Sequence, residues 1–320
     1  MHKRWIHSAK TLTLAAVVGA IAAAAAPKAA EAAYEDGKVR FGVPPWPGVT
    51  VKTEVASRIL QSMGWETQQK QLSYPIIIDS ITKKRLDVYL AGWYPQEREL
   101  IEPLHKKGEL QKLVANLPEV ITGLAVPTYV AEKGIKSVAD LAEHGEMFDR
   151  TIYGIEPGTG SNEGVKKAIK QDWKGLGDWD LIESGTSSML AQVASAYDQN
   201  KPVVWIGWEP HWMNSIHDMH YLEDDAGSTV AQMTGQVFTV TPPDIETHDK
   251  NVARFLEQFV LTPAIQSKWI LEHSKKDRPK EAVAKAWLSN NLDVVAEWLE
   301  GVETRDGKPA IAAVRDDYGA

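Results

Sequence analysis

Short apolar runs alternate with amphipathic segments along the first half of the chain, and this alternation restricts the folds that it can adopt. Residues 39–43 form a short run rich in strand formers. Residues 50–63 place Val51, Val55 and Ile59 on one helical face, and Gly64 ends that pattern. The series continues with a strand at 67–72, a helix at 75–84, a strand at 86–91 and a helix at 97–108. This order predicts an α/β fold in which helices cover a largely parallel sheet.

A second series of the same kind follows. It predicts helices at 137–144, 158–171 and 187–199 and strands at 151–155, 181–183 and 203–207. Two extended apolar segments with prolines, 123–130 and 236–243, flank this series. Because a chain that leaves one lobe and later returns must cross twice, we predict two lobes. Residues 33–123 and 241–320 form the first, which is helical from Asp244 onward, and residues 124–240 form the second.

The N-terminal residues have the pattern of a secretory signal peptide. Lys3 and Arg4 supply a positive start, residues 12–26 an apolar run, and Ala30-Glu31-Ala32 a small-x-small cleavage site. We therefore expect residues 1–32 to be removed and the mature chain to be exported. The sequence has no cysteine and so lacks the lipid-attachment thiol of a lipoprotein. Free diffusion in a periplasm is the resulting prediction.

Removal of this segment makes the chain more acidic. The formal net charge falls from −8 to −11, because residues 1–32 carry a net three positive charges. Such a charge argues against nucleic acid or an anionic membrane surface as a partner. It favours a cationic or zwitterionic ligand.

Three tryptophans each follow a predicted strand and stand beside a proline. They are Trp46 after residues 39–43, Trp93 after 86–92, and Trp208 after 203–207. In open α/β sheets ligands bind outside the carboxyl ends of the strands, where these tryptophans are expected. Several indole faces around one space form the known trap for a quaternary ammonium group. We therefore predict a tryptophan cage for a methylated ammonium head. The alternative is that each indole plugs the top of the core.

The segment at 154–163 turns from a predicted strand into a helix and is rich in glycine. Its glycines and Thr159 present N–H groups to a ligand oxygen. Glu156 stands at the strand end and offers counter-charge to a bound cation or, when protonated in a dry site, one hydrogen bond. A solvated loop carboxylate is the alternative for this residue.

Enzymatic and metal-binding patterns are weak. The sequence has neither a cysteine nucleophile nor a Gly-x-Ser-x-Gly elbow. His211, His217 and His220 suggest metal ligands, the last two one helical turn apart, but no His-Glu-x-x-His context accompanies them. We predict no metal and no cofactor. Two alternatives stay open: a hydrolase that uses Glu156 and His211 on a choline-like ester, and a polyamine receptor, which requires several acids around the cleft.

Five segments resemble, in order and spacing, the substrate-binding proteins of ABC importers for glycine betaine, choline and related compounds. They are PPWPG at 44–48, AGWYP at 91–95, GLAVPTYV at 123–130, GIEPG at 154–158 and VVWIGWEPHWM at 203–213. The resemblance implies a two-lobed periplasmic binding protein of type II, with two parallel-type sheets flanked by helices and joined by two hinge strands. It implies a monomeric receptor with the permease and ATPase subunits of an importer as partners. It also implies Trp46, Trp93 and Trp208 as the cage.

The chain departs from the choline-binding members of that family at the polar end of the ligand. Those members have an acid, a cage tyrosine and an asparagine where this chain has Gly48, Thr122 and Thr159. Trimethylamine N-oxide needs only the aromatic box and one donor for its oxygen. The resemblance therefore favours trimethylamine N-oxide first, glycine betaine second, and choline or carnitine after both.

The resemblance also implies further contacts. Betaine-binding members hold the ligand carboxylate with backbone amides and a histidine, and the N–H groups of Gly48 and Val49 together with His211 have the matching positions. Trp212 or Trp205 would supply a fourth wall. Trp205 is three residues from Trp208 and is expected on the opposite face of the strand.

Overall fold

The computed structural model describes residues 37–224, 228 and 230–319, and the predicted signal peptide lies outside them. The first half follows the expected alternation, with β1 (Lys38–Val43), α1 (Pro47–Ser62), β2 (Glu66–Gln71), α2 (Tyr74–Thr82), β3 (Val88–Tyr94) and α3 (Arg98–Lys106). Strand β1 pairs in parallel with both β2 and β3. Among these residues, every helix is too short or too polar to cross a lipid bilayer.

Two long crossing strands follow, and the first is much longer than predicted. They are β4 (Gln111–Pro127) and β9 (Met233–Thr241), which pair antiparallel from Gln111 opposite Thr241 to Thr122 opposite Met233. Register shifts interrupt this ladder three times. The shifts break the period of two along residues 111–122, and the sequence pattern therefore indicated a strand only from residue 123.

The second series lies between the crossing strands. Its elements are α4 (Thr128–Ala131), α5 (Val138–Glu143), β5 (Thr151–Tyr153), α6 (Gly160–Lys170), β6 (Asp180–Ile182), α7 (Thr186–Asp198), β7 (Trp205–Glu209), α8 (Met213–Ile216) and β8 (Met219–Tyr221), with short 3₁₀ turns at Gly145–Phe148 and Trp173–Gly175. Strands β5, β6 and β7 run parallel to one another, while β7 and β8 pair antiparallel with β4.

The predicted α/β class is confirmed, with helices flanking the strands. In the described part of the chain the strand order is β2-β1-β3-β9-β4-β7-β5-β6, and β8 pairs with β4 beside this path. The two parallel sets therefore stand at opposite ends, and the antiparallel crossing strands β9 and β4 join them in the middle. Hydrogen bonding is continuous through this junction.

Buried apolar side chains form separate clusters on the two sides of that junction. One cluster draws on residues 39–120 and 237–314, and two others draw on residues 124–231 together with Ile270. The first is completed by α9 (Ile245–His248), α10 (Lys250–Gln258), α11 (Pro263–Ile270) with a π turn at Leu271–Lys275, α12 (Lys280–Ser289), α13 (Leu292–Trp298) and α14 (Ala310–Tyr318). Trp287 stacks on Trp298 with ring centroids 5.3 Å apart, so these indoles belong to the core.

A buried ion pair joins β1 to the start of β3. The Arg40 guanidinium donates to both carboxylate oxygens of Asp87, from Nε at 2.9 Å and from Nη2 at 2.8 Å. The backbone N–H of Arg40 donates to the same carboxylate at 2.7 Å. This bidentate contact fixes the two strands that lead to Trp46 and Trp93.

A buried lysine ties α1 to the crossing strands. Lys52 Nζ donates to Asn116 Oδ1 at 2.9 Å and to the Leu90 carbonyl at 3.3 Å, and Asn116 Nδ2 donates to Thr239 Oγ1 at 2.9 Å. Burial lowers the pKa of Lys52 to about 7, because the charged form has lost its water. Helix α1, which begins next to Trp46, is thereby held against β3, β4 and β9.

Candidate functional site

One cavity is lined by all three tryptophans that the sequence places after strands. Its volume is about 50 Å³, roughly the space of four waters. A solute of a few heavy atoms therefore matches it better than a peptide or a nucleotide. The lining residues are Trp46, Trp93, Gln96, Glu97, Thr122, Ile155, Thr159, Gly160, Ser161, Thr186, Ile206, Gly207 and Trp208.

The three tryptophans reach this cavity from different elements. Trp93 is the penultimate residue of β3 and Trp208 the penultimate residue of β7, so both strands run further than predicted. Trp46 follows β1 by three residues and is the N-cap residue of α1. Trp205, at the start of β7, is fully buried in the core and is not among the lining residues.

Strand register explains why Trp93 and Trp208 meet at one place. Trp208 lies opposite Thr122 on β4, and Thr122 lies opposite Met233 on β9. Trp93 lies opposite Val237 on the other edge of β9. The crossing strands thus bring two tryptophans that are far apart in sequence to positions only four residues apart along β9, at Met233 and Val237.

The first residues of α6 and α7 contribute polar groups to the cavity lining. Thr159 is the N-cap residue of α6, and its hydroxyl accepts from the Asn162 N–H at 3.4 Å. Gly160 and Ser161 open that helix, while Thr186 opens α7. The first-turn N–H groups of a helix lack intrahelical acceptors and carry a partial positive charge. This side of the cavity therefore suits a ligand oxygen.

Glu156 lies behind the lining rather than in it. Its carboxylate accepts from the Thr186 N–H at 2.9 Å and from the Thr186 hydroxyl at 2.8 Å. Thr186 itself lines the cavity. Glu156 is thus buried and hydrogen-bonded in this arrangement, and Thr186 is the lining residue that it contacts. Its role as a counter-charge stays a prediction.

Glu97 lines the cavity and was not among the residues singled out from the sequence. The Tyr89 hydroxyl lies 3.1 Å and 3.2 Å from its two carboxylate oxygens, and the Trp93 N–H donates to Oε2 at 3.2 Å. Burial raises the pKa of the Glu97 carboxyl well above its usual range, and these two hydrogen bonds only oppose the shift. The sequence feature that could have indicated Glu97 is its position four residues after Trp93, in the loop that follows β3.

Gln96 connects this loop to the crossing strands and to α6. Its Nε2 donates to Thr122 Oγ1 on β4 and lies 3.3 Å from the Met233 sulfur on β9. Its backbone carbonyl packs against Gly160 so closely that any Cβ at position 160 would overlap it. Glu99 and Lys167 add an exposed ion pair of 2.7 Å between α3 and α6. These contacts hold the two sides of the cavity together.

We expect Gly160→Ala to weaken ligand binding at least tenfold, about 1.4 kcal/mol. The added methyl group overlaps the Gln96 carbonyl and opposes the arrangement that encloses the cavity. Alanine is a better helix former than glycine, so the unliganded variant should unfold at the same temperature or higher. Calorimetric titration and thermal unfolding measure the two effects.

Gly185→Ala is the matched control for that variant. Gly185 is the N-cap residue of α7 with φ −79°, and a Cβ there would meet only Glu156 Oε1, at 3.8 Å. Its affinity should stay within about threefold of the unmodified chain, since threefold is only about 0.7 kcal/mol. Equal affinities for the two variants would show that the Gly160 contact does not control binding.

The remaining residues predicted to contact the ligand lie outside the lining. Gly48 and Val49 are in the first turn of α1, and the Gly48 carbonyl accepts from Gln266 Nε2. His211 is buried beside Trp208, with ring centroids 4.9 Å apart. Trp212 donates its indole N–H to Ser274 Oγ at 2.8 Å. Their roles at the polar end of the ligand stay predictions.

The His211 ring is neutral and carries its proton on Nε2. Its Nδ1 accepts from the Met213 N–H at 3.2 Å, which places the ring proton on Nε2. Nε2 is buried, and no described residue accepts from it. Burial lowers the pKa of His211 to about 3, so the ring is neutral at physiological pH. It can serve as a hydrogen-bond donor but not as a cation.

The predicted helical spacing of His217 and His220 is wrong. His217 follows the short helix α8, whereas His220 lies in strand β8. Pairing of β8 with β4 at Val126 opposite His220 replaces the expected helical turn. Within the ranges that the structure describes, no three side chains of the metal-binding types are grouped to hold an ion.

Paired crossing strands between two α/β halves, with a small tryptophan-lined cavity at their end, define a solute-binding protein of the two-lobed type. The chain belongs to the family described as the substrate-binding domain of the ABC-type glycine betaine transport system, whose model matches residues 37–290. This family comprises transport proteins rather than enzymes, which excludes the hydrolase alternative. Its members are extracellular or periplasmic. Membership implies a small ligand and the membrane subunits of an importer as partners.

Individual relatives agree with this assignment. A solved ABC-transporter choline-binding protein in complex with choline is 32% identical, with a TM-score of 0.84 over 88% of this chain and 98% of that one. A glycine betaine/carnitine transport binding protein, GbuC of Listeria monocytogenes, is 32% identical over 163 residues, 51% of this chain and 53% of the relative. The chain thus matches about half the length of GbuC.

A more distant structure shares the fold. Lactococcal OpuAC in its closed-liganded conformation with glycine betaine is 24% identical, with a TM-score of 0.72 over 82% of this chain and 98% of that one.

Proposed function

We propose that this chain is a receptor for a small methylated ammonium compound, trimethylamine N-oxide first and glycine betaine second, which it delivers to the permease and ATPase of an ABC importer. The observation that carries the proposal is the convergence of Trp46, Trp93 and Trp208 on one small cavity. Three indole faces attract the trimethylammonium head that all these ligands share. Choline and carnitine are the next candidates, and choline is the ligand named for the 32% identical structure.

The polar lining supports a ligand with a negatively charged oxygen over choline. Choline-binding members of the family have an acid where this chain has Gly48, so one counter-charge for a net cation is missing. In its place the cavity offers the N-terminus of α6, at Thr159, Gly160 and Ser161. Such an N-terminus favours an oxyanion. Trimethylamine N-oxide and glycine betaine both carry one, whereas choline has a neutral hydroxyl.

The mechanism that we propose is closure of two lobes around the ligand. Residues 33–123 and 241–320 would form one lobe and residues 124–240 the other, with β4 and β9 as hinge strands. The contact of Gln96 with Gly160 and the Glu99–Lys167 ion pair support closure, because each joins residues of the two proposed lobes. A ligand that touches both lobes stabilises the closed state through its additional contacts.

We further propose that the mature chain acts as a soluble monomer in the periplasm after loss of residues 1–32. The composition of those residues and the formal charge of −11 that remains support export and solubility.

A thermal-shift panel on the mature chain tests the proposal. Trimethylamine N-oxide, glycine betaine, choline, carnitine and spermidine are added at equal concentrations. A ligand at about one hundred times its Kd adds about 2.7 kcal/mol, which raises the Tm of a chain of this size by roughly 5 °C or more. We expect the largest shift with trimethylamine N-oxide or betaine and none with spermidine. A shift with spermidine alone, or none with any methylated ammonium compound, would refute the proposal.

A further inference from the structure

Glu97 is the only ionisable side chain among the residues that line the cavity in the described part of the chain. It is 3% exposed, so water does not screen its charge. A small dry cavity is sensitive to the sum of the charges inside it, because an uncompensated charge there has lost its hydration without gaining a partner. The protonation state of Glu97 therefore bears directly on the net charge of the ligand that the cavity accepts.

The groups around Glu97 are neutral donors. Tyr89 on β3 contacts both carboxylate oxygens, and the Trp93 N–H donates to one of them. The titratable groups that interact with it electrostatically are Tyr74, Tyr89 and Tyr94. Burial raises the pKa of all three tyrosines, which keeps them uncharged.

In the part of the chain that the structure describes, no cation pairs with the Glu97 carboxyl. Burial and those two hydrogen bonds shift the pKa of Glu97, and no described lysine or arginine contributes to the shift. Burial without a compensating cation favours a protonated Glu97 in the empty site.

We propose that Glu97 holds a proton in the empty cavity, keeps it when a zwitterion binds, and releases it to water when a ligand with a net positive charge binds. This inference rests on the proposed function and adds to it a basis for ligand choice. A zwitterion brings its own negative oxygen, which an ionised Glu97 would repel. A net cation such as choline needs the carboxylate as its partner, and it must displace the proton to obtain it.

The sign of the pH dependence follows from this exchange. Choline lowers the pKa of Glu97 by stabilising its ionised form. Choline affinity therefore rises with pH between the pKa of Glu97 in the choline complex and its pKa in the empty protein, by up to about tenfold per pH unit. Betaine affinity is flat over the same interval, because no proton moves. Zwitterions are thus favoured at low and neutral pH, and choline gains as the pH rises.

Calorimetric titration tests the exchange. Choline and betaine are titrated from about pH 6 to about pH 9, in two buffers of different ionisation enthalpy, so that released protons are counted. We expect nearly one proton released with choline at neutral pH and none with betaine. In Glu97→Gln the release should disappear, and the ratio of choline to betaine affinity at high pH should fall at least tenfold. Glu109→Gln, which changes an exposed acid, should keep the unmodified proton count.

A measurement on the empty protein provides a second test. The infrared spectrum of the empty protein at neutral pH should contain a carboxylic acid C=O band that Glu97→Gln lacks. Absence of that band would overturn the inference. So would choline binding without proton release, or equal proton release in Glu97→Gln and the unmodified chain. Failure of choline to bind up to about pH 9, while betaine binds, would overturn it as well. Tight binding of a methylated ammonium compound without proton exchange would leave the proposed function intact. Failure of all such compounds to bind would remove both.

Discussion

Trp93→Ala and Trp208→Ala are each expected to weaken ligand binding at least tenfold. Each change removes one indole face from the cavity that Trp46, Trp93 and Trp208 share. A cation–π contact contributes about 0.5–2 kcal/mol and most in a dry site, and lost apolar contact adds to it. A tenfold loss corresponds to about 1.4 kcal/mol. Calorimetric titration with the ligand that gives the largest thermal shift measures the change.

Two further variants make this result specific. Trp93→Phe keeps an aromatic face and should lose less affinity than Trp93→Ala. Trp173→Ala removes an indole from the turn Trp173–Gly175, which is outside the cavity lining, and should leave affinity unchanged. Because Trp93 and Trp208 are partly exposed, their replacement should not unfold the chain. Full affinity in both alanine variants would eliminate the tryptophan cage as the binding site.

Asp87→Ala is expected to lower the free energy of unfolding by about 3–5 kcal/mol. The Asp87 carboxylate, 2% exposed, accepts from Nε, Nη2 and the backbone N–H of Arg40. Its removal leaves a buried guanidinium without its carboxylate partner, which is the costly way to break a buried pair. Since small domains are stable by only about 5–15 kcal/mol, the urea midpoint should fall markedly.

Asp79→Ala provides the matched comparison. Asp79 pairs with Lys83 at 2.5 Å, but both side chains are about half exposed, at 53% and 51%. Exposed pairs contribute less than about 1 kcal/mol, so this variant should unfold close to the unmodified chain. Asp87→Asn keeps the side-chain volume and one acceptor oxygen, and it gives a measurable intermediate value if Asp87→Ala does not fold. Equal midpoints for the variants at positions 79 and 87 would show that burial adds nothing to the Arg40–Asp87 pair.

The tryptophan positions illustrate what local sequence can predict. A run of β-branched and aromatic residues bounded by prolines specifies a strand from its own chemistry, and an indole at its end needs no distant partner to be located at the rim of a sheet. Trp93 and Trp208 accordingly lie in the last two residues of β3 and β7. The true lengths of these strands escaped prediction, because pairing of β3 with β9 and of β7 with β4 extends them.

Glu97 and Glu156 show where such reasoning fails. Both are acids in loops that leave a strand, and only Glu156 was singled out. In the structure Glu97 lines the cavity with Tyr89 at its carboxylate, while Glu156 is turned toward Thr186. The partner of Glu156 is thirty residues away in sequence. Which acid faces a cavity depends on the packing of such distant elements.

The order of strands and helices, the α/β class and the three rim tryptophans follow from the sequence by itself, because helical and strand periodicity and strand-end chemistry are properties of neighbouring residues. The tertiary structure alone decided the length of β4, the contact of Gln96 with Gly160 and the burial of Glu97. Each of these depends on groups that are brought together only when β4 and β9 pair and the residues on both sides of that pair pack around one cavity.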